Sequence, residues 1–257
     1  MAFAFAVHTD PGINPIASDA VHAGTWLAAV AEGAGVTVGG ELAAEIVVDA
    51  LAGLDTPTPP DDLTAAMHGA LDDARRRIAA VAERSPHHAE MSTMFTALVS
   101  ADDRIGFIHL GAGRAYMLRG DLYQISPEPN AESRSPHQLP PPTRAGGLLN
   151  AAGDRLDSLT LTIREAESRD RYLLCSTALD ASLDDQSKYR ILSGHADPAI
   201  AARHLIDAAI RCHNQPPLTA LIADIVEPAP RHNPIKFGQS RSETQATSAP
   251  SGSPVTE

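Results

Sequence analysis

The sequence is poor in cysteine and in positive charge, and each shortage excludes a class of protein. Two cysteines among 257 residues, Cys175 and Cys212, are too few and too far apart for a disulfide framework or a zinc site. Both lie in apolar segments, which predicts buried thiols and a reducing, cytoplasmic location. Lysine and arginine number 20 against 32 acidic residues, and the net charge of −12 argues against nucleic acids and anionic membranes as partners.

The sequence also lacks a long hydrophobic run. No apolar segment approaches the roughly 18 residues that cross a bilayer as a helix. The first seven residues, MAFAFAV, are apolar but include no basic residue, so they predict a β-strand and not a signal peptide. We therefore expect a protein without a membrane segment.

What is present is a succession of strands and helices that predicts an α+β fold. Strands at 2–8 and 26–31 precede two helical patterns, and several antiparallel strands follow within 91–126. A later helix has Asp197 as its N-cap and Pro198 at its first position, and it precedes a last strand. This order indicates antiparallel sheets covered by helices.

Two regions of unusual composition interrupt or end this pattern. Residues 127–154 are rich in proline, serine, asparagine and glycine, which indicates an irregular excursion. From residue 228 onward apolar residues are few, so the segment cannot bury enough surface to offset the entropy of ordering. The sequence therefore predicts one folded domain over residues 1–227 and a disordered tail over 228–257.

The first candidate site is a glycine-rich bend after the second strand. Glu32 follows the strand directly, and the nearby Gly33 and Gly35 let the backbone approach an ion or a phosphate closely. The loop before that strand has Asp19 near its end, so we expect the two carboxylates to lie close together. The alternative to a metal site is a pair of carboxylates that accept hydrogen bonds from loop amides.

Six segments resemble, in order, the sequence blocks of one family. Residues 9–12 and 17–20 resemble an opening T-D-x-G…N-E-D-A loop, and residues 31–41 resemble the block A-D-G-M-G-G-H-x-G-G-E. The blocks M-G-T-T-x-T-A, H-x-G-D-S-R-x-Y-x-x-R, L-L-C-S-D-G-L and D-N-x-T resemble residues 91–97, 109–119, 173–179 and 216–219. On these blocks the chain, from about residue 6 to 226, resembles the protein phosphatase 2C family of bacterial metal-dependent Ser/Thr phosphatases.

The resemblance implies a fold and a chemistry. The fold is a four-layer αββα sandwich, in which two antiparallel sheets lie between helix pairs. The family binds two Mn²⁺ or Mg²⁺ ions at one end of the sandwich, where they generate a hydroxide that attacks the phosphoryl group. Asp19, Glu32 and the carbonyl of Gly33 are the residual metal ligands that the resemblance implies.

Departures from the family's motifs fall on its metal-binding positions. Thr177 and Pro216 stand where the L-L-C-S-D-G-L and D-N-x-T blocks have aspartates. Ala112 stands at the aspartate of G-D-S-R, and Glu32 replaces the bridging aspartate. The first loop also lacks the arginine with which the family holds the phosphate. These departures predict either no metal or weak binding of Mg²⁺ or Mn²⁺.

Three functional hypotheses follow from the resemblance and its departures. The leading one is a pseudophosphatase with lost or strongly reduced catalysis that regulates by binding another protein, such as a phosphoprotein or a kinase. The alternative is an active but slow Ser/Thr phosphatase that uses Asp19, Glu32 and further ligands such as Asp180 or Asp184. The third is a scaffold whose tail is a kinase substrate at Ser240, Ser242, Thr244 and Thr247.

Overall fold

The structure, a computed structural model, consists of two antiparallel β-sheets with helices on their outer faces. It describes residues 1–13, 19–34, 38–127, 149–150, 159–212, 217–226 and 235–237. The strands are β1 (Ala2–Asp10), β2 (Asp19–Ala23), β3 (Leu27–Gly33), β4 (Ser92–Ala101), β5 (Arg104–Leu110), β6 (Arg114–Arg119), β7 (Asp121–Gln124), β8 (Leu149–Asn150), β9 (Thr160–Glu165), β10 (Arg171–Cys175), β11 (Leu218–Val226) and β12 (Ile235–Phe237). The α-helices are α1 (Val38–Leu51), α2 (Leu63–Arg84), α3 (Thr177–Ser182), α4 (Asp185–Gly194) and α5 (Pro198–Ile210), and short 3₁₀ helices cover Ala52–Leu54 and Pro86–His88.

The strands form one sheet of five and one of seven. The first has the order β1-β11-β10-β6-β7, and the second has the order β12-β2-β3-β4-β5-β9 with β8 paired to β4. Neighbouring strands run antiparallel in both sheets. This arrangement brings the strand that begins at residue 19 and the strand that ends at residue 33 side by side.

Alternation along the strands separates the layers of the core. In β3, Leu27, Ala29 and Ala31 pack with α1 and α2, whereas Ala28 and Val30 face the other sheet. Because both faces of β3 are buried, the strand is apolar at every position and not only at every second one. Helices α3, α4 and α5 cover the outer face of the five-stranded sheet. The predicted four-layer αββα sandwich is confirmed, with three helices on the five-stranded sheet where a pair was expected.

Helices α1, α2 and α5 agree with the sequence prediction, whereas α3 and α4 do not appear in it. The sequence patterns do not predict α3 and α4, and α4 buries only Lys188 and Leu192, so it has no apolar stripe. Helix α5 begins as predicted, because Pro198 is its first residue and the side chain of Asp197 accepts a hydrogen bond from the N–H of Ala199 at 2.8 Å.

Other predictions meet mixed outcomes. Cys175 is buried as expected, but Cys212 is exposed, so the prediction of a buried thiol is wrong there: it lies just after the end of α5. Three residues of the predicted tail 228–257 form β12, which pairs with β2. Most of the predicted excursion 127–154 lies outside the described residues. In the ranges that the structure covers, no helix is long and apolar enough to cross a membrane.

Candidate functional site

At one end of the sandwich, polar residues take the place of the apolar residues that face the space between the two sheets. Glu32 lies two residues after Val30 in β3, and Asp19 lies two residues before Val21 in β2. Val21 and Val30 both belong to the core between the sheets, so alternation directs the two carboxylates into the same inter-sheet space. The register pairs Asp19 with Glu32 across the β2–β3 ladder. The expected proximity of these two residues is confirmed.

Asp19 is connected to the opposite sheet through Thr219. The Thr219 hydroxyl donates a hydrogen bond to Oδ2 of Asp19 at 2.6 Å. Thr219 is buried near the start of β11, which belongs to the five-stranded sheet. The contact therefore joins the two sheets at the end of the sandwich where Glu32 lies.

The Glu32 carboxylate is bound by the first residue of α3. Thr177 donates its N–H to Oε2 at 2.9 Å and its hydroxyl to Oε1 at 3.3 Å. Removal of the carboxylate from water raises the pKa of Glu32 to about 8, and the charge of Asp19 adds to that rise. The hydrogen bonds from Thr177 and the positive charge of Arg114 act in the opposite direction but do not cancel it.

Ser176 fixes the position from which Thr177 reaches Glu32. It is the N-cap of α3, and its Oγ accepts hydrogen bonds from the N–H of Leu179 at 3.4 Å and from the N–H of Thr219 at 3.1 Å. The first turn of α3 is thereby attached to the start of β11. The same attachment places the Thr177 N–H opposite the end of β3.

A second polar group, the Lys188 cluster of Tyr116, Asp180 and Lys188, also involves α3, because Asp180 belongs to that helix. The Lys188 ammonium lies 2.5 Å from Oδ1 of Asp180 and 2.9 Å from the Tyr116 hydroxyl, which itself donates to Asp180 at 2.5 Å. Lys188 is only 3% exposed and lies over the Tyr116 ring, 4.6 Å from its centroid. Arg114 is a further cationic partner, with its Nε 3.8 Å from Oδ2 of Asp180. Asp180 therefore has cationic partners from within the chain.

The structure distributes the other candidate ligands over different surroundings. Asp184 is the N-cap of α4, where it accepts from the N–H of Ser187 at 2.7 Å, and these hydrogen bonds lower its pKa. Ala112 lies between β5 and β6, with its N–H 3.3 Å from the sulfur of Met94. Pro216 lies outside the described residues. Asp19 and Glu32 are thus brought together, whereas Asp180 and Asp184 have roles of their own within and beside helices.

Gly33 is required for close packing at the end of β3. A Cβ atom at this position would lie 2.4 Å from the carbonyl carbon of Gly40 in α1, which is far shorter than a normal contact. The absence of a side chain therefore lets the bend and the helix meet. The role of the Gly33 carbonyl as a metal ligand stays a prediction.

In the portion of the chain that the structure describes, no three His, Cys, Asp or Glu residues are grouped to hold a metal ion.

Two contacts that shape the site are not predicted by the sequence. The motif comparison identifies Thr177 only as a lost ligand. It gives no sign of Lys188, because a lysine in a polar helix gives no local signal of burial. Both contacts join residues that are distant in the sequence.

Comparisons with known proteins bear on this site. The family model described as protein phosphatase 2C matches residues 16–135. A crystal structure of the serine/threonine phosphatase PstP/Ppp of Mycobacterium tuberculosis is 33% identical, covers 88% of this chain and 100% of its own, and has a TM-score of 0.80. The chain belongs to the protein phosphatase 2C family. The resemblance seen in the six sequence blocks is confirmed.

Further members of the protein phosphatase 2C family extend the comparison. The curated PstP sequence from M. tuberculosis is 34% identical over 234 residues, which are 87% of this chain and 45% of PstP. The chain therefore spans less than half the length of that relative. A structure of the PstP catalytic domain in complex with two manganese ions is 33% identical with a TM-score of 0.78. PppA of Pseudomonas aeruginosa, at 21% identity and a TM-score of 0.75, shares the fold.

Proposed function

We propose that this protein phosphatase 2C domain has lost, or strongly reduced, metal-dependent catalysis and acts by binding another protein. One observation carries the proposal: Thr177 donates its N–H and its hydroxyl to the two carboxylate oxygens of Glu32. Thr177 stands where the family's L-L-C-S-D-G-L block has an aspartate. A neutral donor therefore faces Glu32 at the position where the family pattern has a second carboxylate.

The charge of the site supports the same proposal. Two divalent ions about 4 Å apart repel each other by on the order of 16 kcal/mol at an effective dielectric constant of about 20. Carboxylates that bridge and flank the ions must offset this repulsion. Asp19 and Glu32 can supply at most two negative charges, whereas Thr177 and Ala112 supply none. This set of donors does not fit a pair of ions, and we expect no metal or one weakly bound Mg²⁺ or Mn²⁺.

The second candidate is an active but slow metal-dependent Ser/Thr phosphatase, and the comparisons support it more directly than a loss of activity. The relatives at 33% and 34% identity are described as serine/threonine phosphatases, and one of them is in complex with two manganese ions. The paired carboxylates of Asp19 and Glu32 also favour a cation between or beside them. In this candidate they would hold the ion together with the Gly33 carbonyl, and the ion would supply a hydroxide nucleophile.

The proposed partner is a phosphoprotein or a kinase that the domain meets in the cytoplasm. The net charge of −12 is the reason to exclude nucleic acids and anionic membranes as partners. The scaffold hypothesis differs in assigning the binding to residues 228–257, with Ser240, Ser242, Thr244 and Thr247 as kinase substrates. If that hypothesis is right, removal of the tail abolishes partner capture, and unchanged capture contradicts it.

One experiment separates the two leading candidates. Mn²⁺ and Mg²⁺ are titrated by calorimetry, and hydrolysis of a phosphoserine or phosphothreonine peptide is assayed in parallel. The variants are Glu32→Ala, Glu32→Asp, and the triple variant Glu32→Asp, Thr177→Asp and Pro216→Asp, which restores three aspartates of the family pattern. Circular dichroism checks that each variant is folded.

The expected result is that the unmodified chain takes up little or no metal and does not turn over the peptide. The triple variant should gain metal binding, whereas Glu32→Asp alone should not. Metal-stimulated turnover by the unmodified chain that disappears in Glu32→Ala would instead establish the second candidate. An absence of metal uptake at millimolar concentrations would exclude that candidate.

A further inference from the structure

Gly113 lies against the carboxylate of Glu32, immediately before β6. A Cβ atom at Gly113 would lie 2.7 Å from Oε1 of Glu32, 3.3 Å from the carbonyl oxygen of Cys175 and 3.8 Å from Oγ1 of Thr96. Gly113 is not among the glycines with positive φ, which are Gly12, Gly111 and Gly120. The backbone conformation therefore does not require glycine here, and the constraint is the space that Glu32 occupies.

Two departures from the family's motifs meet at this contact. The G-D-S-R block has serine where this chain has Gly113, and the bridging aspartate is replaced by Glu32, whose side chain is longer by one methylene. The two positions are distant in the sequence, but they lie side by side in the folded chain. A serine at 113 would add an oxygen beyond the Cβ atom that already conflicts with Glu32.

We infer that Glu32, Gly113 and Thr177 form an interdependent set, in which Gly113 leaves the space for the longer Glu32 side chain and Thr177 holds its carboxylate. The carboxylate is the far end of a flexible side chain and could move away from a new Cβ atom. Moving it would break the two hydrogen bonds from Thr177, one of them at 2.9 Å. A side chain at position 113 therefore lowers the folding stability by the free energy that is needed to separate Glu32 from Thr177.

This inference deepens the proposed function, on which its meaning rests, because it assigns Glu32 a partner within the chain in place of a metal ion. The three residues join the end of β3, the start of β6 and the first turn of α3. Their contacts lie at the end of the sandwich where the resemblance implies the metal site and where the proposal expects no pair of metal ions. The interdependence is a property of folding stability and can be measured without metal or substrate.

A double-mutant cycle on the full chain tests the inference, in buffer that contains a chelator. Gly113→Ala should lower the melting temperature by about 4 °C in the unmodified background, and by about 1 °C in the Glu32→Asp background. The shorter aspartate leaves room for the Cβ atom, whereas the contact with the Cys175 carbonyl persists in both backgrounds. Gly113→Ala should also speed hydrogen exchange at the Thr177 amide roughly tenfold, since its acceptor moves away.

Gly69→Ala is the matched control, because a Cβ atom at Gly69 would have nothing within 4 Å. The change in melting temperature that Gly69→Ala causes should be the same in the unmodified and the Glu32→Asp backgrounds. Equal shifts for Gly113→Ala in the two backgrounds would overturn the inference. If Gly113→Ala fails to fold, folding of the Glu32→Asp and Gly113→Ala double variant supports the inference, and failure of both overturns it. Turnover by the unmodified chain would overturn the proposed function and leave this interdependence intact.

Discussion

Glu32 and Asp180 are two carboxylates at helix α3 with opposite surroundings: the helix binds the first and contains the second. At its first residue, Thr177, the helix offers Glu32 neutral donors, an N–H and a hydroxyl. Asp180, three residues later, contacts the ammonium of Lys188 and the hydroxyl of Tyr116, each at 2.5 Å. Asp180 is compensated by a contacting cation of the chain, whereas Glu32 is held by the dipoles of an N–H and a hydroxyl group.

The difference teaches where this fold can take up a proton or a cation. Loss of hydration and the neighbouring Asp19 raise the pKa of Glu32 to about 8, so Glu32 binds a proton more readily than an ordinary glutamate. Asp180 already has the Lys188 ammonium, and a further cation beside it would meet like charge. We therefore expect any uptake of protons or metal at Glu32 and not at Asp180. Three predictions break or sharpen this comparison.

Lys188→Met should have the largest effect, because it leaves Asp180 without its ammonium partner while keeping the length of the buried side chain. We expect the free energy of unfolding, measured by urea denaturation, to fall by about 3 kcal/mol. Adding Asp180→Asn should recover part of this loss, since the remaining group is then uncharged. Equal losses in the single and double variants would show that packing, and not charge, is responsible.

Glu32→Gln should have a smaller effect that depends on pH. Glu32 has an ordinary pKa of 4.5 in the unfolded chain and a pKa of about 8 in the folded one. The stability that proton binding gives is fully present below the ordinary pKa and is lost as the pH rises through about 8. Glutamine stays uncharged at every pH, so the Glu32→Gln variant does not lose stability in this way. At about pH 9 the free energy of unfolding of the variant should therefore exceed that of the unmodified chain by on the order of 2 kcal/mol. Urea denaturation across the pH range measures this, and parallel pH profiles would contradict it.

Thr177→Val should have the smallest effect. It removes the hydroxyl that donates to Glu32 at 3.3 Å, but the backbone N–H at 2.9 Å remains. We expect a loss of about 1 kcal/mol or less in the free energy of unfolding. Thr177→Ser keeps the hydroxyl and serves as the control, so it should retain more stability than the valine variant. A valine variant as stable as the serine variant would assign the holding of Glu32 to the backbone alone.

Patterns that are local in the sequence predict most of the sandwich. The apolar run of β3 is visible because both of its faces are buried, and α5 is visible because Asp197 and Pro198 mark its start. The same alternation that builds the core carries Asp19 and Glu32 to one inter-sheet face once β2 and β3 are paired. These features follow from a strand period of two residues and from helix-end chemistry.

The partners of the site residues could not be predicted in the same way. Thr177 reaches Glu32 only because Ser176 attaches α3 to β11, and this is a tertiary contact with no sequence periodicity. Helix α4 is polar apart from a few residues, so nothing in its sequence reveals that Lys188 is buried. A glycine in place of serine at position 113 is visible in the motif, but its meaning depends on a distance to Glu32 that only the folded chain defines.

The short strand β12 has a practical consequence for shortened versions of the chain. Ile235–Phe237 pairs with β2 along residues 21–23, on the side of β2 away from β3. A fragment that stops at residue 227 would leave that side of β2 as a row of unpaired N–H and C=O groups, which invites pairing between molecules. Fragments intended for solution work should therefore extend at least through Phe237, and those cut at 227 should show a greater tendency to aggregate.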